Sequence, residues 1–158
     1  MPKDERKTLM TKILFICHGN ICRSPMAEHI FRRMAREAGR GADFDITSAA
    51  TSNEEIGNGI YPPAQRVLRA HGVPFTAHAA HRVTREECER NDLILVMDRN
   101  NLRNMERMFG TRFSEKTRLL MTYAGEARDV SDPWYTGDFE TAYRDIEAGC
   151  AGLLQALS

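Results

Sequence analysis

Apolar residues follow two rhythms along the 158-residue chain. Unbroken runs such as Ile13-Leu14-Phe15-Ile16 and Leu93-Ile94-Leu95-Val96-Met97 have the length of strands buried on both faces. Elsewhere apolar positions recur at helical spacing, most clearly Phe139, Ala142, Tyr143, Ile146, Cys150 and Leu153, giving one apolar face. The pattern predicts strands over 12–17, 45–49, 93–97 and 118–122, and helices over 25–38, 62–71, 85–91, 100–109 and 138–157. His71-Gly72 reads as a helix end, with Gly72 supplying the left-handed residue. Strands alternating with helices imply an α/β fold. The expected form is three layers: a four-stranded, parallel, twisted sheet with helices on both faces and a ligand loop at the strand carboxyl ends.

The length fits one domain, taken as 12–158 after a polar, frayed leader over 1–11. Repeats, linkers and low-complexity segments do not stand out. Lysine plus arginine equals aspartate plus glutamate, 22 each, so nothing pulls the whole molecule toward nucleic acid or an anionic membrane. The apolar runs fall short of a bilayer span, and residues 1–12 lack a signal peptide's apolar segment. The expectation is a cytoplasmic protein, where a reducing environment also suits thiol chemistry.

The informative chemistry follows the first strand: Cys17-His18-Gly19-Asn20-Ile21-Cys22-Arg23-Ser24. A cysteine five residues before an arginine is common by chance, so the context decides. Gly19 and Asn20 tolerate positive φ, Pro25 suits a first helical turn, and a helix follows. Such a loop at the carboxyl end of the first strand points successive N–H groups into one concavity with a helix N-terminus behind it, and its candidate phosphate-binding residues are His18, Gly19, Asn20, Ile21, Cys22 and Ser24. Those surroundings favour a thiolate at Cys17, a nucleophile toward phosphorus that needs no separate base. Arg23 offers a planar fork for two phosphate oxygens, and Ser24 a hydroxyl for the sulfur. Asn20 is expected to brace the loop.

A leaving group needs an acid. Asp132, in Val130-Ser131-Asp132-Pro133-Trp134-Tyr135, is the leading candidate, a carboxyl expected to be shielded by rings; Asp129 competes. Cys150 lies in an apolar stripe and Cys88 on a short helix, both read as structural. Cys17 and Cys22 lack the second pair that a zinc site requires, so neither a metal nor another cofactor is expected. His78 and His81 read by themselves as surface or hydrogen-bonded histidines.

The run from Cys17 to Glu28 resembles the signature of low-molecular-weight protein tyrosine phosphatases. Segments 48–58, 92–102, 132–135 and 138–140 resemble further family motifs in the same order, so the likeness spans about Lys12 to the C-terminus. The resemblance implies Cys17 as nucleophile, Arg23 as phosphate clamp and Asp132 as general acid and base, with Ser24 partnering the thiolate. It implies a loop-supporting network of Asn20, Ser48 and His78, and a crevice wall of Trp134 and Tyr135. Glu54 stands where many relatives place an aromatic on the facing wall, and His18 where relatives often carry an aliphatic side chain. Cys22 matches a cysteine that in the family can form a reversible disulfide with the nucleophile. Phosphotyrosine-containing proteins would be substrates and inorganic phosphate a product, with a monomer or weak homodimer as the working form. Protein-arginine phosphatase activity is the alternative. Thiol-dependent arsenate reduction ranks lower because Cys88 has no close cysteine partner.

Overall fold

The computed structural model describes residues 10–158. The expected leader falls outside the described residues as far as residue 9, and Thr11 already belongs to the first strand. Four parallel strands form one sheet in the order β2-β1-β3-β4. They are β1 (Thr11–Cys17), β2 (Phe44–Ala50), β3 (Leu93–Val96) and β4 (Thr117–Leu119). The helices are α1 (Arg23–Glu37), α2 (Pro62–Ala70), α3 (Arg85–Arg90), α4 (Arg99–Phe109), α5 (Pro133–Thr136) and α6 (Phe139–Ala156).

Alternation along β1 explains the layers, because successive side chains of a strand point to opposite faces. Ile13 and Phe15 pack in a core with Met26, Ile30 and Phe31 of α1 and Ile146 and Cys150 of α6. Leu14 and Ile16 pack in a second core with Cys88 of α3, Met105 of α4 and Phe113. All four β1 residues are fully buried, each worth about 1.5–3 kcal/mol relative to exposure. Cys88 and Cys150 are structural, as expected.

Two boundaries differ from the sequence pattern by more than one residue. α1 begins at Arg23, two residues before Pro25, so proline sits inside the first turn. β4 ends at Leu119, and a 3-10 turn over Leu120–Ala124 replaces its expected continuation. That turn lies hard against α6, where a Cβ added at Gly149 would stand 2.6 Å from Leu120 Cγ. Only glycine in α6 permits this approach. Leu120 and Met121 thereby enter the core instead of extending an edge strand.

The strand order places the site. β1 lies between β2 and β3, so the segment after β1 is flanked by the segment after β2 on one side and α4 on the other. Gly72 ends the α2 segment with φ of 69°, as its sequence position predicts.

Candidate active site

Cys17 ends β1, and residues 18–22 curl into the N-terminus of α1. The turn needs a left-handed residue at Asn20, whose φ is 60°. The Asn20 N–H reaches back to Cys17 Sγ at 3.3 Å. Behind the loop, the Asn20 side-chain amide donates to Ser24 Oγ at 2.8 Å and Ser48 Oγ at 3.0 Å. Ser48 in turn donates to Glu28 Oε1 at 2.6 Å. Ser24 Oγ, which accepts from Asn20, also lies 3.0 Å from Cys17 Sγ and can donate its proton there when the sulfur is a thiolate. The His78 ring nitrogen Nε2 donates to the Asn20 carbonyl at 2.6 Å, and the His81 N–H donates to Asn20 Oδ1 at 3.3 Å. The Asn20 amide, which can only donate, fixes the polarity of this chain from Glu28 as far as Ser24.

Arg23 is buried, and three acceptors orient its guanidinium. Nη1 donates to the Val130 carbonyl at 3.1 Å, while Nη2 donates to Asp98 Oδ2 at 2.8 Å and Asp132 Oδ2 at 3.4 Å. Burial pulls the arginine pKa down, but Cys17, Asp132 and Asp98 outweigh it and hold the value above the ordinary arginine range. Asp132 caps α5 by accepting the Trp134 N–H at 3.0 Å. Trp134 and Tyr135 are 58% and 86% exposed, so the rings line the mouth without shielding the carboxyl. Arg23 and the Trp134 amide, rather than aromatic burial, set the surroundings of Asp132. Asp129 turns away and accepts the Arg99 N–H at 3.1 Å at the start of α4.

Across the mouth, His18 Nε2 meets Glu54 Oε2 at 2.9 Å in an exposed pair. Ser52 fastens this side by two bonds to the His18 carbonyl, from its N–H at 3.1 Å and its hydroxyl at 2.9 Å. Ile21 packs inward with Ala80 and Tyr61, leaving its backbone to the loop. Burial, then the neighbouring Cys17 and Asp132 charges, push the Cys22 thiol up to about 12 against the pull of Arg23. The four cysteines, all among the described residues, are free thiols.

A crevice of about 410 Å³ brings together Cys17, His18, Gly19, Ile21, Cys22 and Arg23 of the loop. Glu54, Asp132, Trp134 and Tyr135 also line it. Asn20, Ser24, Ser48 and His78 do not; they stand behind the loop. Of the candidate phosphate-binding residues, Asn20 and Ser24 thus turn their side chains to the loop's support and to the sulfur rather than into the crevice. Asp98, Glu28 and Tyr61 are not among the candidates that the sequence points to. Asp98 holds Arg23, Glu28 ends the serine chain, and Tyr61 packs on Trp134 with ring centroids 5.2 Å apart. A polar residue just past the carboxyl end of β3 was the available signal for Asp98. Among the described residues, no three His, Cys, Asp or Glu side chains gather as a metal site would require.

The model of the family described as low molecular weight phosphotyrosine protein phosphatase matches residues 12–158. The chain is 36% identical over 150 residues to the Bacillus subtilis low molecular weight protein-tyrosine-phosphatase YfkJ, covering 94% of this chain and 96% of that protein. The crystal structure of YfkJ superposes with a TM-score of 0.90 over 94% of each chain. A Streptomyces coelicolor low molecular weight protein-tyrosine-phosphatase is 39% identical over 153 residues, covering 92% of this chain and 93% of that one. A Drosophila arginine phosphatase structure, 29% identical, matches with a TM-score of 0.85 and covers 94% of this chain and 98% of that one.

Proposed function

Because the chain belongs to the low-molecular-weight phosphotyrosine protein phosphatase family, we propose that it hydrolyses phosphotyrosine in proteins, and small aryl phosphates, through a cysteinyl-phosphate intermediate. The observation that carries the reading is the convergence on one buried guanidinium: Arg23 reaches Asp132 while the adjoining loop presents Cys17 Sγ.

In the first step the Cys17 sulfur attacks phosphorus and the bond from phosphorus to the phenolic oxygen breaks. Asp132 donates its proton to that oxygen, so tyrosine leaves as the neutral phenol. Backbone N–H groups of His18, Gly19, Ile21 and Cys22 and the free edge of Arg23 take the equatorial oxygens, supplying positive potential without a metal. The Ser24 hydroxyl and Asn20 N–H stabilise negative charge on sulfur, as nucleophile and later as leaving group. In the second step Asp132 takes a proton from water, the hydroxyl attacks phosphorus, and the sulfur–phosphorus bond breaks to release inorganic phosphate. Trp134 and Tyr135 supply one apolar wall for the substrate ring; Glu54 and His18 make the facing side polar. We take residues 12–158 as the catalytic domain, working in the cytoplasm as a monomer or weak homodimer. Among the described residues, no helix is long and apolar enough to cross a membrane.

The test is turnover of a phosphotyrosine peptide and of p-nitrophenyl phosphate by the wild type, Cys17→Ser and Asp132→Ala. Cys17→Ser is expected to abolish release of phosphate. Asp132→Ala is expected to slow it by about 10²–10⁴-fold and to let phosphoenzyme accumulate. Full activity of Cys17→Ser would overturn the mechanism. Faster turnover of a matched phosphoarginine peptide would reassign the substrate.

A further inference from the structure

We propose that Arg103 and Arg107 of α4 form a second anion subsite, which takes a phosphoryl or carboxylate group carried by the substrate peptide beside its phosphotyrosine. The proposal rests on the phosphatase reading above and extends it to the sequence around the target tyrosine.

α4 leaves the carboxyl end of β3 next to the phosphate loop, and one of its faces lines the crevice. That face carries Asn100, Arg103, Asn104 and Arg107, at the spacing that stacks side chains along one side of a helix. Of the three arginines lining the crevice, Arg23 is tied to Asp98 and Asp132. Among the described residues, neither Arg103 nor Arg107 has a carboxylate within 4.0 Å, although Glu106 lies on the same helix. Each instead donates to an asparagine carbonyl three residues earlier: Arg103 to Asn100 Oδ1, and Arg107 to Asn104 Oδ1 at 3.2 Å. These bonds orient two exposed cations without neutralising them. Like charges four residues apart repel along a helix. A bound anion between them relieves that repulsion and gains charge-assisted bonds.

Reach and polarity agree with a peptide ligand. Asn100 to Arg107 spans about 10 Å of helix axis, close to the length of three residues of extended chain at about 3.3 Å each. On the β2 side of the phosphate loop, the crevice is lined by Glu54 and Glu55. An acidic flank would be repelled there and attracted to α4, so the two sides impose a direction on the bound peptide.

The test compares kcat/KM for phosphotyrosine peptides whose neighbouring residues are glutamate, a second phosphotyrosine, alanine or lysine, in wild type and in R103Q, R107Q, R103Q/R107Q and R103K/R107K. The readout is the ratio of the anion-flanked to the lysine-flanked peptide. This ratio is expected to fall about threefold in each single variant and about tenfold in the double glutamine variant, the range of partly exposed charge contacts. The lysine pair should retain most of it, and added salt should shrink it in wild type. A larger ratio for the second phosphotyrosine would identify the ligand group as phosphoryl, a larger one for glutamate as carboxylate. Equal wild-type rates on all flanks, or a ratio unchanged in R103Q/R107Q, would overturn the subsite while leaving the phosphatase reading intact. No turnover of the alanine-flanked peptide by wild type would overturn both.

Discussion

Asp98 uses its two carboxylate oxygens for two tasks: Oδ2 accepts Arg23 Nη2 at 2.8 Å, and Oδ1 accepts the Asn101 N–H at 2.7 Å, capping α4. The residue that orients Arg23, the proposed phosphate clamp, is therefore also the one that fixes the start of the helix beside it. Asp98→Ala removes a cap worth about 1 kcal/mol and one partner of a charge that is 4% exposed. Breaking a buried pair costs about 3–5 kcal/mol, moderated here because Asp132 remains. We expect Asp98→Ala to lose about 3 kcal/mol in urea denaturation and at least tenfold in kcat/KM on p-nitrophenyl phosphate. Asp98→Asn keeps a single acceptor oxygen, enough for the α4 cap or for Arg23 but not for both, and should fall between wild type and Asp98→Ala in stability. Unchanged stability in the alanine variant would show that Asp132 and the Val130 carbonyl hold Arg23 alone.

Asn20 combines a left-handed backbone with three side-chain bonds, and two substitutions separate these contributions. Asn20→Gly relieves the backbone cost, whereas Asn20→Ala leaves a Cβ in a region that disfavours it by about 1–2 kcal/mol. Both lose the donor that holds Ser24 Oγ beside the sulfur. The alanine variant should accordingly be about 1 kcal/mol less stable than the glycine variant. Both should lose a similar factor, about tenfold, in kcat. A glycine variant with wild-type kcat would remove the hydrogen-bond chain from the mechanism.

These two residues also mark what the sequence discloses. Asn20 is legible because its conformation is local: a turn between a buried strand and a helix needs positive φ, and the motif supplies the residue for it. β1 is legible for a similar reason, since a strand buried on both faces must be continuously apolar. Asp98 is not, because its partner lies 75 positions away and the contact exists only once β1 pairs with β3. The choice between Asp129 and Asp132 likewise depends on where Arg99 starts α4. Arg103 and Arg107 carry no local signal in the sequence, because only the sheet order sets α4 beside the crevice.

Two histidines give the stability opposite dependences on pH. His29 Nδ1–H donates to the Pro25 carbonyl at 2.8 Å, and Nε2 accepts the Thr76 N–H at 3.3 Å, so the ring is neutral. Burial lowers its pKa from the ordinary 6.5 despite the Pro25 carbonyl and Glu28. Its contribution is complete above pH 6.5 and is lost as pH falls through the lower folded value. His81 is raised from 6.5, chiefly by its 2.7 Å bond to Glu87 and against burial. That contribution is present below pH 6.5 and is lost as pH rises through the higher folded value. Melting temperatures from pH 5 to 9 should show a flatter acid limb in His29→Gln and a flatter alkaline limb in His81→Gln. Parallel curves for both variants and wild type would refute the assignment.

The thiols divide sharply by reactivity. Burial is the main cause that raises Cys22 to about 12 and Cys88 to about 11, and it lifts Cys150 as well. These three stay protonated at neutral pH, and a protonated thiol is a poor nucleophile. One equivalent of iodoacetamide at pH 7 should modify Cys17 and abolish activity in parallel, while Cys17→Ser takes up label slowly. We further propose Cys22 as the resolving thiol after peroxide converts the Cys17 thiolate to a sulfenic acid. That oxidation removes the negative charge at Cys17, one of the causes raising Cys22, and so makes the Cys22 proton easier to lose. The Cys22 sulfur then attacks the sulfenic sulfur and displaces hydroxide, and a dithiol reduces the disulfide back to two thiols. Wild type should regain nearly all activity with dithiothreitol after a peroxide pulse, and Cys22→Ser markedly less, because its Cys17 goes on to the irreversible sulfinic acid. Equal recovery in the two proteins would rule out the resolving role, leaving Cys22 as packing for the loop beside Ile21 and Ala80.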